Sequence, residues 1–100
     1  MFIYNITIKV DTAIANEWLL WQKEIHIPEI METGLFHDHR FYELLDQDES
    51  EGITYVLQYF TIERNNYDKY LHHYAPLLRE KAIQKWGNQF IGFRTLLKEV

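Results

Sequence analysis

The chain moves between two hydrophobic periods, and the order of those moves restricts its fold to a few topologies. Phe2, Tyr4, Ile6, Ile8 and Val10 alternate with Ile3, Asn5, Thr7 and Lys9, which predicts a strand with one apolar face. After a cap at Asp11 or Thr12, Ile14, Trp18, Trp21 and Ile25 recur at helical spacing. Pro28 lacks an N–H and crowds the Glu24 carbonyl, so a break or kink is expected near Ile27, with a short turn through Met31 stopping at Gly34. Residues 35–45 read as a second strand and 46–52 as a polar hairpin tip. Residues 53–62, apolar on both faces, read as a central strand. A second helix over 63–86 carries Tyr67, Tyr70, Leu71, Tyr74, Leu77 and Leu78, interrupted at Pro76. The last strand covers 89–97, with Gly92 a bulge or a point of close approach. The order β-α-β-β-α-β, with no linker, predicts one α+β domain over residues 1–100. It is ferredoxin-like: a four-stranded antiparallel sheet with both helices on one face.

Composition narrows function mainly by exclusion. A formal charge of −5 gives no broad attraction for nucleic acid or an anionic membrane, so neither is an expected partner. There is no cysteine for a disulfide, a thiolate nucleophile or a Cys-ligated metal, and Ser50 is the one serine. No cofactor is expected, since the chain has no glycine-rich phosphate loop and no complete set of metal ligands. The first ten residues lack a basic leader and no apolar run is long enough to span a bilayer, so cytoplasmic residence is the expectation. Aromatic residues make up 16% of the chain, a surplus for one interior layer. A covered second sheet face would absorb it.

Five segments carry a resemblance: 24–29 (EIHIPE), 33–36 (TGLF), 55–60 (YVLQYF), 70–79 around His73-Tyr74-Ala75-Pro76, and 93–97 (FRTLL). Together they resemble a small bacterial family of unknown function, similar in turn to the dimeric α+β barrel superfamily of ferredoxin-like domains. The resemblance implies a homodimer with two sheets packed face to face. Relatives in that superfamily include cofactor-free monooxygenases, muconolactone isomerases and haem-degrading enzymes, so fold alone implies no activity. The tryptophan of the haem-degrading relatives has no counterpart near Phe60 and Thr61, which argues against haem.

Candidate site residues follow from chemistry and position. His26, before Pro28, is either a helix-end imidazole favoured by the dipole or a general acid–base at the barrel rim. His37 and His39 share a strand face but lack further ligands, and Asp46, Asp48 and Ser50 miss the spacing of a calcium loop. Asn5 and Thr7 lie on the more polar face of the first strand, where a barrel ligand would need hydrogen bonds. Arg40 and Arg94 are strand cations able to hold an anionic or phenolic oxygen, or to form ion pairs across a dimer. Tyr59 is a candidate ring in the same lining, although the apolar third strand leaves open which of its tyrosines turns inward. The helix-side layer, with Trp18, Trp21, Tyr67, Leu71 and Tyr74, is expected to be filled. A small apolar or aromatic ligand is therefore expected between the two sheets, beside Asn5, Thr7 and Arg94, with monooxygenase- or isomerase-like chemistry at most. The alternative is a non-catalytic dimer whose barrel is filled by its own side chains. A pocket of about 300 Å³ lined by converging polar groups separates the two.

Overall fold

The computed structural model describes all residues, 1–100. Strands β1 (Phe2–Val10), β2 (Asp38–Glu43), β3 (Ile53–Thr61) and β4 (Phe90–Lys98) form one antiparallel sheet in the order β2-β3-β1-β4. The two apolar-patterned strands take the centre, where neighbours on both edges satisfy their backbone groups. Helices α1 (Ala15–Trp21), α2 (Ile27–Met31), α3 (Arg64–His73) and α4 (Ala75–Trp86) cover one face.

Pro28 does not end the first helix. Between α1 and α2 the backbone runs through a five-residue π turn, Gln22–His26, in which the Ile27 N–H donates to the Gln22 carbonyl. A proline ring crowds the carbonyl four residues back and donates nothing to it; a widened turn accommodates both defects, so the helix continues to Met31. The second helix breaks at Tyr74, and Pro76 sits in the first turn of α4, where a missing N–H leaves no intrahelical bond unmade. Gly92 makes a close approach rather than a bulge. The β1–β4 register is uninterrupted, and a Cβ at this position would stand 3.2 Å from the Ile8 side chain.

The register assigns faces directly, because paired residues point the same way. Tyr4, Ile6, Ile8 and Val10 pair with Tyr59, Leu57, Tyr55 and Ile53, and with Leu96, Arg94, Gly92 and Phe90. This is the helix face. Its core is unusually aromatic: the Tyr4 ring centroid lies 5.4–6.2 Å from those of Tyr67, Tyr70, Phe36 and Tyr59. Trp18, 1% exposed, packs on Tyr55 at 5.2 Å. Much of the aromatic surplus is thus buried on the helix side, not on the second sheet face as composition suggested. Tyr74 is one exception to the expected layer: 41% exposed at the helix break, it cedes its place to Tyr70.

The opposite sheet face carries no helix. Asn5 anchors a polar ladder on it: its amide accepts from Gln58 at 3.1 Å and donates to the Thr95 hydroxyl at 3.3 Å. Around that ladder stand Ile91, Phe93 and Leu97, which are 74%, 63% and 42% exposed.

Candidate functional site

The helix-side layer is not filled. A cavity of about 330 Å³ lies between sheet and helices, floored by β1, β3 and β4, roofed by α1 and the π turn, and walled by α4. Gly92 contributes to its floor with no side chain, which leaves room above Ile8. Most of the lining is apolar, including Trp21, Ile8 and Ile83. The expectation of a close-packed layer is corrected here: large rings packed against one another at the two ends of the sheet leave a space between the clusters.

Four polar side chains converge on this space with an atom buried and unpartnered. They are Gln22 Oε1, His26 Nδ1, the Tyr59 hydroxyl and Arg79 Nε. Each such atom costs about 1–3 kcal/mol if nothing in the cavity meets it. Gln22 and His26 are the two ends of the π turn, so the irregularity forced near Pro28 is also what places polar groups on an apolar roof. The His26 ring stacks on Trp21, centroids 4.6 Å apart and 20° between planes. Burial lowers its pKa to about 4; Glu29 opposes the shift, while Arg94 and Lys81 reinforce it. His26 is therefore a neutral imidazole at pH 7, not the protonated helix-end cation of the ordinary reading. Tyr59 is wholly buried, and burial, with Tyr70 and Tyr4 beside it, raises its pKa well above the usual phenol value. It stays a hydroxyl.

Two guanidinium groups flank the same cavity. Arg79 Nη2 and Arg94 Nε both donate to the Tyr4 hydroxyl, at 3.2 and 3.0 Å. Neither belongs to an ion pair; the pairs formed are Arg40–Asp38, Lys81–Glu29 and the N-terminus with Glu99. Two positive charges that share one small neutral acceptor repel, the more so the less water reaches them.

The sequence-derived candidates divide between the two faces. His26, Tyr59 and Arg94 meet at the cavity, whereas Asn5, Thr7 and Arg40 lie on the open face. Arg94 is a correction: its pairing with Ile6 turns it toward the helices, away from Asn5 and Thr7. Arg40 bonds Asp38 at 2.6 Å and lies over the Phe60 ring, so its charge is met within its own chain. Asn5 is likewise satisfied by Gln58 and Thr95, which removes the argument that a ligand must reach it. The histidine pair does not share a site: His39 faces the helix side near Tyr59, while His37 is exposed before β2 begins. No group of three or more His, Asp or Glu side chains is placed to hold a metal. Arg79, Gln22 and Trp21 were not foreseen as site residues. The signal for Arg79 was its position among Ala75, Leu78, Ala82 and Trp86, an arginine inside the apolar stripe of its helix.

The chain belongs to the family described as domain of unknown function DUF4286, whose profile matches residues 1–100. No curated protein sequence matches it. Among solved structures it is similar to an antibiotic biosynthesis monooxygenase, at 11% identity and TM-score 0.70 over 100% of this chain and 99% of that one. It is similar to a dimeric ferredoxin-like protein from an uncultured marine organism, at 13% identity and TM-score 0.62 over 100% and 95%. It also resembles SnoaB from Streptomyces nogalater, a cofactor-independent oxygenase, at 10% identity and TM-score 0.59 over 98% and 92%. At such identities the likeness establishes the ferredoxin-like fold.

Proposed function

We propose that this DUF4286 chain binds a small apolar or aromatic metabolite in the cavity between its sheet and its helices, and does so as a homodimer. One observation carries the binding reading. Four side chains that line a mostly apolar space of about 330 Å³, within the size range of small-molecule pockets, each keep a buried polar atom without a partner. A core selected for stability alone would fill that space or leave it without polar atoms. The homodimer reading rests on the helix-free face, where Ile91, Phe93 and Leu97 form an exposed apolar group of the kind that marks an interface. A similar fold described as dimeric supports it.

The site also carries groups for proton transfer. With a pKa of about 4 the neutral His26 ring is a weak base, so it takes a proton from a phenol, or from carbon beside a carbonyl, only where the negative charge left on the ligand oxygen is stabilised. Arg79 and Arg94, without acidic partners, would offset that charge. Monooxygenase- and isomerase-like reactions both begin this way, and similar folds described as an antibiotic biosynthesis monooxygenase and a cofactor-independent oxygenase support that class.

The location is tested with 2-naphthol, whose absorption overlaps tryptophan emission, so that bound probe quenches by energy transfer and the variants locate it. Saturable quenching at one probe per chain is expected, lost when Ala82→Phe fills the cavity and retained in Asn5→Ala. Loss in Asn5→Ala with retention in Ala82→Phe would move the ligand to the open face and refute the proposal.

A further inference from the structure

We propose that Arg79 and Arg94 form a subsite for the carboxylate of an otherwise apolar ligand, so that the cavity selects aromatic acids over uncharged aromatics. This rests on the cavity reading above and adds the ligand's charge to it. The two side chains come from different elements, α4 and β4, and meet at one neutral acceptor, the Tyr4 hydroxyl. A phenol oxygen offers lone pairs to hydrogen bonds but no charge to offset two cations. Glu29, on α2, is engaged by Lys81 at 3.0 Å, and no carboxylate forms an ion pair with either arginine. The chain carries 15 acidic against 10 basic residues, so a pair of arginines left without carboxylates runs against its overall balance.

Geometry limits the anion. Tyr4 takes one N–H from each guanidinium, through Arg79 Nη2 and Arg94 Nε, which leaves Arg79 Nη1 and the terminal nitrogens of Arg94 free to donate. A carboxylate has two oxygens that can each take a donor from a different arginine, and bonds of this charged kind are about twice as strong as neutral ones. Arg79 is half-buried and Arg94 is more open to solvent, so the anion sits toward the cavity mouth. The rest of the ligand then extends over the apolar floor toward Trp21. Inorganic phosphate has the charge but nothing to place on that floor, so it is a poor ligand under this proposal.

The test compares 2-naphthoate with 2-naphthamide, of nearly equal shape, by calorimetric titration at pH 7.5. Naphthoate is expected to bind at least about tenfold more tightly, the ratio set by exchanging a neutral for a charge-assisted pair of hydrogen bonds. Arg79→Gln and Arg94→Gln should each lower naphthoate affinity by more than naphthamide affinity and bring the ratio of the two most of the way to one, with an unchanged far-UV spectrum and urea midpoint showing that the chain remains folded. Arg94→Lys should keep part of the preference. Equal affinities of the two probes for the wild-type chain overturn the carboxylate subsite while leaving the cavity reading intact. Failure of both probes to bind overturns the two together. Phosphate binding as tight as naphthoate overturns the requirement for an apolar body.

Discussion

His26 provides a quantitative test of whether the cavity roof is as dry as its geometry indicates. Its pKa falls to about 4 in the folded chain through burial, against 6.5 for the unperturbed ring. A base whose folded pKa is depressed is protonated first in the unfolded state. Between these two values the unfolded chain binds more protons, so stability is complete above pH 6.5 and is lost as pH falls toward 4. The full shift corresponds to roughly 3 kcal/mol, and linkage places roughly 2.5 kcal/mol of it above pH 4.5. Carboxylates complicate the acid limb, because Asp38 and Asp48 are also shifted, both downward through hydrogen bonds to their carboxylates from backbone N–H groups. The difference between wild type and His26→Phe removes their contribution, and the phenyl ring preserves the stack on Trp21. Urea unfolding at pH 7.5, 6.5, 5.5 and 4.5 should show His26→Phe gaining roughly 2.5 kcal/mol on the wild type from the first pH to the last. NMR titration of the one histidine resonance that the substitution deletes should give an apparent pKa near 4. A difference that stays flat with pH, or a resonance titrating near 6.5, would show that water reaches the ring and would refute the dry-roof argument.

Other consequences are more direct. Trp18→Ala, at a residue 1% exposed, should cost about 3–5 kcal/mol and show as a lower urea midpoint. Gly52→Ala would put a Cβ 2.5 Å from the Val10 carbonyl oxygen, so the start of β3 must shift; a loss of at least 1 kcal/mol is expected, and thermal melts within a degree of wild type would contradict it. Phe93→Asp, at a side chain 63% exposed on the helix-free face, should leave the protomer folded and convert the dimer to a species near 12.2 kDa in sedimentation. Wild type sedimenting at that mass at micromolar concentration would refute the homodimer.

Local pattern alone carried the strand and helix order. Side-chain direction alternates in a strand and repeats every 3.6 residues in a helix, and both periods are written in nearest-neighbour residue types. Thus Phe2–Val10 and its buried face were legible without any tertiary contact. The direction of Arg94 was not, because Ile91 and Phe93 on one face are as apolar as Phe90 and Leu96 on the other, and only pairing with Ile6 decides between them. Pro28 was legible as a defect in a helix but not as a π turn, since whether a chain breaks or widens depends on what packs against it. Here Trp18, Trp21, Ile27 and Ile30 are all buried on the sheet, and interrupting the helix would expose part of that surface. The cavity was the least legible feature. The polar side chains that line it come from residues 22, 26, 59 and 79, separated along the chain by β2, the hairpin tip and α3, and its volume is what large side chains on the sheet and the helices fail to fill. Periodicity states which face a residue occupies; whether the facing surfaces close on one another is decided by shape across distant segments, and only the tertiary structure holds that information.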